Sequence, residues 1–215
     1  MNILEIYEKY QIMPQLQEHQ LRVAGVALFI LNSFDPEIDS ENVIKACLLH
    51  DMGNILKFDL KNSHLLLKKE IDVEYWQKVK DEYFKKYGSD EHQASLEIAK
   101  EIGASQRVLE LIDCIRFNRV EDNVSTKDFG KKICEYSDDR VGLFGVVSLE
   151  QRFVDLRVRY GHRHTEWGAE EARKFFENSV REIEKQIFTR CNIKPSDIME
   201  TLILEIREKL RDFKI

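Results

Sequence analysis

Residues 14–36 read PQLQEHQLRVAGVALFILNSFDP, and the spacing of their apolar side chains decides the fold class. Leu16, Val23, Val26, Ala27 and Ile30 recur at three- and four-residue intervals, the period of a helix that buries one face. His19 falls on that same face, so its imidazole is expected to point inward. The helix starts after Pro14 and ends before Asp35-Pro36, because proline disfavours helical geometry in the residue that precedes it.

The same period continues along the chain. Ser40 can cap a second helix with Val43, Ala46, Cys47 and Leu49 on its apolar face. That helix ends at His50-Asp51-Met52-Gly53, where the glycine suits a left-handed stop. Asp72 opens a helix carrying Val73, Trp76, Val79 and Tyr83 to Gly88, and Ser89-Asp90 opens another carrying His92, Leu96 and Ile98 to Gly103. Ser105 caps a stripe of Val108, Leu111, Ile112 and Ile115, followed by a turn-like Asn118 to Ser125 and a helix over residues 127–144. Further helices are expected near 148–160, 165–190 and 195–213, the last entered through Pro195 and Ser196.

With three prolines, nine glycines and no strand-like alternation, the chain reads as all-α, a compact multi-helix bundle. We expect one metal-binding helical domain over residues 1–145 and a C-terminal helical extension, 146–215, packed on it. That extension either covers the pocket, forms a homodimer surface or simply packs on the core, the default for amphipathic helices.

Composition excludes several roles. A net charge of −6 and a pI near 5.6 argue against charge-driven binding to nucleic acid or an anionic membrane. No run approaches the roughly 18 apolar residues of a membrane span, and the acidic start MNILEIYEKYQ is unlike a secretion signal. Cys47, Cys114, Cys134 and Cys191 form no C-x-x-C pair and sit mostly among apolar residues, the pattern of reduced, buried thiols. A soluble, cytoplasmic protein is the expectation.

A hydrolytic metal site needs nitrogen and oxygen ligands on rigid elements, with positions left for water and substrate. His19, His50, Asp51 and an Asp near 138 would bring two imidazoles and two carboxylates from three helices. A lone inward His is more often a hydrogen-bonded core residue than a ligand. Several ionisable groups on inward faces are different: burying them unpaired is costly, and a shared cation removes the cost.

In order, EHQLRVAGVAL (18–28), ACLLHDMGN (46–54) and CEYSDDRVG (134–142) resemble the HD-domain superfamily of metal-dependent phosphohydrolases, across roughly residues 10–145. The resemblance implies His19, His50, Asp51 and Asp138 as metal ligands, with Asp139 the rival for the last place; about 100° of helical rotation separates the two. It departs from many relatives in having Asn54 where they carry Lys or Glu, and Asn cannot take a proton. Lys57 could replace that phosphate contact. Two-metal relatives add a His where this chain reads Arg116-Phe117-Asn118-Arg119, so one divalent transition metal is expected: Mn, Fe, Co, Ni or Zn, between which ligand type does not choose.

The resemblance implies hydrolysis of a phosphate ester through a metal-activated water, on a small nucleotide or related phosphorylated metabolite. His50, Asp51 and His92 are the candidate catalytic residues, although His92 also reads as an ordinary polar residue at a helix start. Asn54, Lys57, Arg116, Arg119 and Arg140 are the candidate substrate-binding residues. The arginines of residues 152–163 are further phosphate candidates, each more often a surface charge. His162-x-His164 and His64 read as exposed loop. Subclasses with a Glu-Asp pair after the doublet, a Gly-Tyr-Pro signature or a nucleotidyltransferase domain do not fit. Two rivals stand: a non-catalytic, metal-stabilised ligand- or partner-binding module, which Asn54 favours, and a purely structural bundle with every His in the core.

Overall fold

The computed structural model describes residues 1–34, 38–60, 71–160 and 169–215. Its α-helices are α1 (Ile3–Lys9), α2 (Pro14–Leu31), α3 (Ser40–Leu49), α4 (Val73–Tyr87), α5 (Glu91–Ile102), α6 (Gln106–Cys114), α7 (Val120–Ser125), α8 (Phe129–Asp139), α9 (Leu149–Tyr160), α10 (Glu170–Phe188) and α11 (Glu200–Leu210). A two-stranded antiparallel hairpin, β1 (Val141–Gly142) and β2 (Gly145–Val146), is the one sheet among the described residues. The fold is all-α. No helix among the described residues is long and apolar enough to cross a membrane.

Local chemistry sets most helix starts. Asp72, Asp90, Ser105 and Asp128 each accept a hydrogen bond from a backbone N–H of the first turn, supplying acceptors that the helix itself lacks there. At α3 the cap is Asp39, whose carboxylate accepts from Asn42 N at 3.2 Å, and not Ser40, whose hydroxyl donates to Ile38 O. Pro14 is the first residue of α2, where its missing N–H costs nothing.

α2 is the central element. It packs against α3, α8 and α11, and Val23, Ala24, Val26, Ala27 and Ile30 are fully buried. Gly25 admits α11 closely: a Cβ there would stand 3.0 Å from Ile203 Cγ2. α10 lies against α7 and α8, so Phe153, Phe176, Val180, Ile183 and Ile203 of the last third join the same buried cluster as α2 and α3.

Several local expectations are corrected. Residues 118–125 are not a turn: Phe117–Arg119 form a 3-10 turn leading into α7. Asn123 is buried there, donating to Cys114 O at 2.8 Å and Glu135 Oε2 at 3.2 Å, so tertiary bonds fix a segment whose composition reads as loop. The helix expected over 127–144 stops at Asp139 and becomes the hairpin. The last helix is split into a 3-10 turn at Pro195–Asp197 and α11. Cys47, Cys114 and Cys134 are buried free thiols, with Cys47 and Cys134 Sγ 4.0 Å apart.

Candidate metal centre

The His-Asp doublet sits where α3 ends. His50 is the residue that closes the helix, and its Nδ1–H donates to Cys47 O at 2.8 Å. That bond fixes the ring's orientation and, once the imidazole is neutral, leaves the lone pair on Nε2. The turn that follows is clamped on two sides: Asp51 N–H donates to Gln20 Oε1 of α2 at 3.1 Å, and Gly53 N–H to Ser95 Oγ of α5 at 2.9 Å.

Gly53 is not in the left-handed conformation expected of it; its φ is −89°. The glycine is needed for space. A Cβ there would lie 2.2 Å from Glu91 O and 2.7 Å from Ala94 Cβ, so only a bare Cα lets the turn press on the start of α5.

Three helices deliver side chains to one point. His19 of α2 places Nε2 2.8 Å from Asp138 Oδ1 of α8 and 3.6 Å from Asp51 Oδ2. His50 Nε2 stands 3.5 Å from Asp138 Oδ1 and 3.7 Å from Asp51 Oδ1. One donor atom each from His19, His50 and Asp51 falls within 4.8 Å of the other two. Metal–ligand bonds of about 2.0–2.2 Å put neighbouring ligand atoms roughly 3 Å apart, so side chains at these separations fit a shared cation with little movement. His50 Nε2 is the orphan that such a cation would satisfy: it is buried and has no hydrogen-bond partner.

The charges agree with the geometry. Burial pushes the His50 imidazole down, but the Asp51 and Asp138 carboxylates raise it to about 9. Burial would likewise raise Asp138, yet the His19 hydrogen bond and the charges of His19 and His50 hold its carboxyl well below the usual range. Asp139 behaves oppositely. Burial and the neighbouring Asp138 charge raise it to about 8 against the pull of Arg152, and its Oδ2 has no partner. Asp138, not Asp139, faces the imidazoles.

The other candidates divide. His92, near the start of α5, has Nε2 3.3 Å from Asp113 Oδ1, and burial together with Arg116 lowers its pKa. Arg119 pairs with Asp113 at 2.8 Å and Arg116 at 3.7 Å, so one carboxylate of α6 gathers His92 and both arginines. Lys57 lies 3.8 Å from Glu91 at the same helix start, and Asn54 is buried at the head of the 3-10 turn Asn54–Lys57.

Arg140 is removed from the substrate-binding set. It is 4% exposed, and its guanidinium donates to Val147 O at 2.6 Å, Pro195 O at 3.2 Å and the Tyr136 hydroxyl at 2.5 Å. Those bonds tie the end of α8 to the hairpin and the C-terminal turn. His64, His162, Arg163 and His164 lie outside the described residues.

Sequence reasoning missed Gln20 and Asp113. Gln20 is a polar residue on the buried side of α2, immediately after His19, and that placement was the available signal. Asp113 precedes Arg116 and Arg119 by three and six residues, a spacing compatible with pairing but common on helix surfaces.

Residues 14–111 match the family model described as HD domain, a stretch that holds His19, His50 and Asp51; Asp138 lies beyond it. No curated protein and no solved structure matches the chain. HD domains bind divalent metals and are generally metal-dependent phosphohydrolases, and the match covers the helices that carry three of the four convergent side chains. Over residues 14–111, a little under half of its length, the chain is thus similar to the HD-domain family.

Proposed function

We propose that the protein is a metal-dependent phosphohydrolase that cleaves a phosphate ester of a small nucleotide or related phosphorylated metabolite. The observation that carries this reading is the buried, unpartnered Nε2 of His50, turned toward Asp51 and Asp138 beside His19. His19, His50, Asp51 and Asp138 would hold one divalent transition metal. Such an ion makes a coordinated water more acidic and polarises a phosphate oxygen.

The chain's own residues supply the rest. Cys47 O holds the His50 ring in one tautomer, and Gln20 fixes the backbone of Asp51, so the site is organised before substrate arrives. Asn54 carries no proton, which leaves His92, steadied by Asp113, as the group for proton transfer at the ester oxygen. Lys57, Arg116 and Arg119 give that flank the positive charge that a phosphate needs.

The test is metal analysis of protein purified without chelator, then a phosphoester panel with manganese, cobalt or nickel added. We expect about one bound metal and turnover that Asp51→Ala abolishes. Bound metal without turnover on any phosphoester would favour the non-catalytic module suggested by Asn54; turnover surviving Asp51→Ala would refute the reading.

A further inference from the structure

Buried Arg140 and half-buried Arg107 both have partners for their guanidinium donors. Arg140 donates to carbonyl oxygens and a hydroxyl, and Arg107 is paired with Asp128 through two bonds at 2.6 and 2.7 Å. Arg152 is different. Its side chain is only 11% exposed, yet its closest acidic neighbours are Asp155 Oδ2 at 3.6 Å and Asp138 Oδ2 at 3.9 Å, both too long for hydrogen bonds. Its Nε is buried and has no partner among the described residues.

A guanidinium carries five N–H donors and cannot lose its charge, so burying its Nε without an acceptor is expensive. The fold nevertheless keeps it there. Phe153, the next residue, is fully buried, and Leu156 is nearly so, which anchors α9 with Arg152 beside the metal-site carboxylate. Asp155, four residues before Arg159, is paired with that arginine and approaches the Arg152 Nη1 edge.

We infer that Arg152, from outside the segment matching the HD family model, is a substrate ligand whose unspent fork grips the phosphoryl oxygens beside the cation held by His19, His50, Asp51 and Asp138. The inference rests on the phosphohydrolase reading and assigns the C-terminal extension a part in the site. A planar fork matches two oxygens of one phosphoryl group, which supply the acceptors that the protein withholds. The competing role is compensation of the Asp138 charge, in which case Arg152 would sustain metal binding and stability and leave phosphate unaffected.

Calorimetric titration separates the two. Inorganic phosphate is titrated into the manganese-loaded protein, and manganese into the metal-free protein, for wild type, Arg152→Gln and Arg152→Lys. Phosphate affinity should fall at least tenfold in Arg152→Gln and less in Arg152→Lys, which keeps charge without the fork, while manganese affinity stays within threefold in the Lys variant. Unchanged phosphate affinity in Arg152→Gln, or a wild type that binds manganese but no phosphate, overturns the inference and leaves the metal site standing. Full recovery of phosphate affinity in Arg152→Lys, alongside manganese loss in Arg152→Gln, assigns compensation instead. A wild type that binds no manganese sinks the hydrolase reading; the phosphate titration of the metal-free protein then decides Arg152 by the same tenfold criterion.

Discussion

Replacing Arg140 by alanine separates structure from function at the end of α8. The guanidinium is buried and donates to three backbone carbonyls, Val147 O at 2.6 Å, Pro195 O at 3.2 Å and Ile198 O at 3.5 Å; Pro195 O also accepts from Ile198 N–H at 3.4 Å, so Val147 O and Ile198 O are the two that the substitution leaves without a donor. Each buried acceptor left without a donor costs about 1–3 kcal/mol, so the pair should cost roughly 2–6 kcal/mol, centred near 4. Tyr136 adds little to this sum, because its hydroxyl keeps a second bond, donated to Glu184 at 2.6 Å. For a chain of this size each kcal/mol lowers the melting temperature by about 2–4 °C, so Tm should drop by roughly 8–16 °C. Urea unfolding and differential scanning calorimetry read both quantities. If Arg140→Ala lost under about 1 kcal/mol and instead weakened phosphate binding, Arg140 would be a substrate ligand and the reasoning from its bonds would fail.

Other outcomes follow from the same geometry. Asp138→Asn should weaken manganese binding at least about tenfold, the least that losing even an outer-shell partner of a metal ligand usually costs, whereas Asp139→Asn should change it little, because the Asp139 carboxyl, raised to about 8, is mostly protonated at neutral pH; equal losses in calorimetry would reverse the assignment. With His50 raised to about 9 in the metal-free protein, a metal must displace its proton, so apparent affinity should climb about tenfold per pH unit and level off near that value. A flat profile between about pH 6 and 8 would contradict this. Gly53→Ala forces a Cβ to within 2.2 Å of Glu91 O and should cost about 1–3 kcal/mol in urea unfolding; a neutral effect would mean that the turn does not press on α5.

What could be read from the residues was what local periodicity encodes. The apolar stripe of α2 announced both the helix and the inward His19, and the Asp and Ser caps of α4, α5 and α6 marked their own starts. The convergence of His19, His50, Asp51 and Asp138 is a long-range fact, legible only through the resemblance of three short stretches to a family. What escaped depends on tertiary partners: α7 is helical although its composition favours a turn, because Asn123 is spent on Cys114 O and Glu135. Arg140 looked like a substrate ligand by its place beside Asp138, and only the packing of the hairpin and residues 195–198 shows where its donors go. Gly53 was a similar case, since the need for a bare Cα came from α5 and not from its own backbone angles.

Cobalt(II) titration followed by visible absorption tests most directly whether two imidazoles and two carboxylates share one ion. Wild type should saturate at about one equivalent with ligand-field bands, and Asp51→Ala should lose them while keeping its helical circular dichroism. Absence of a bound equivalent in wild type, or an unchanged spectrum in Asp51→Ala, would contradict the metal centre and everything derived from it.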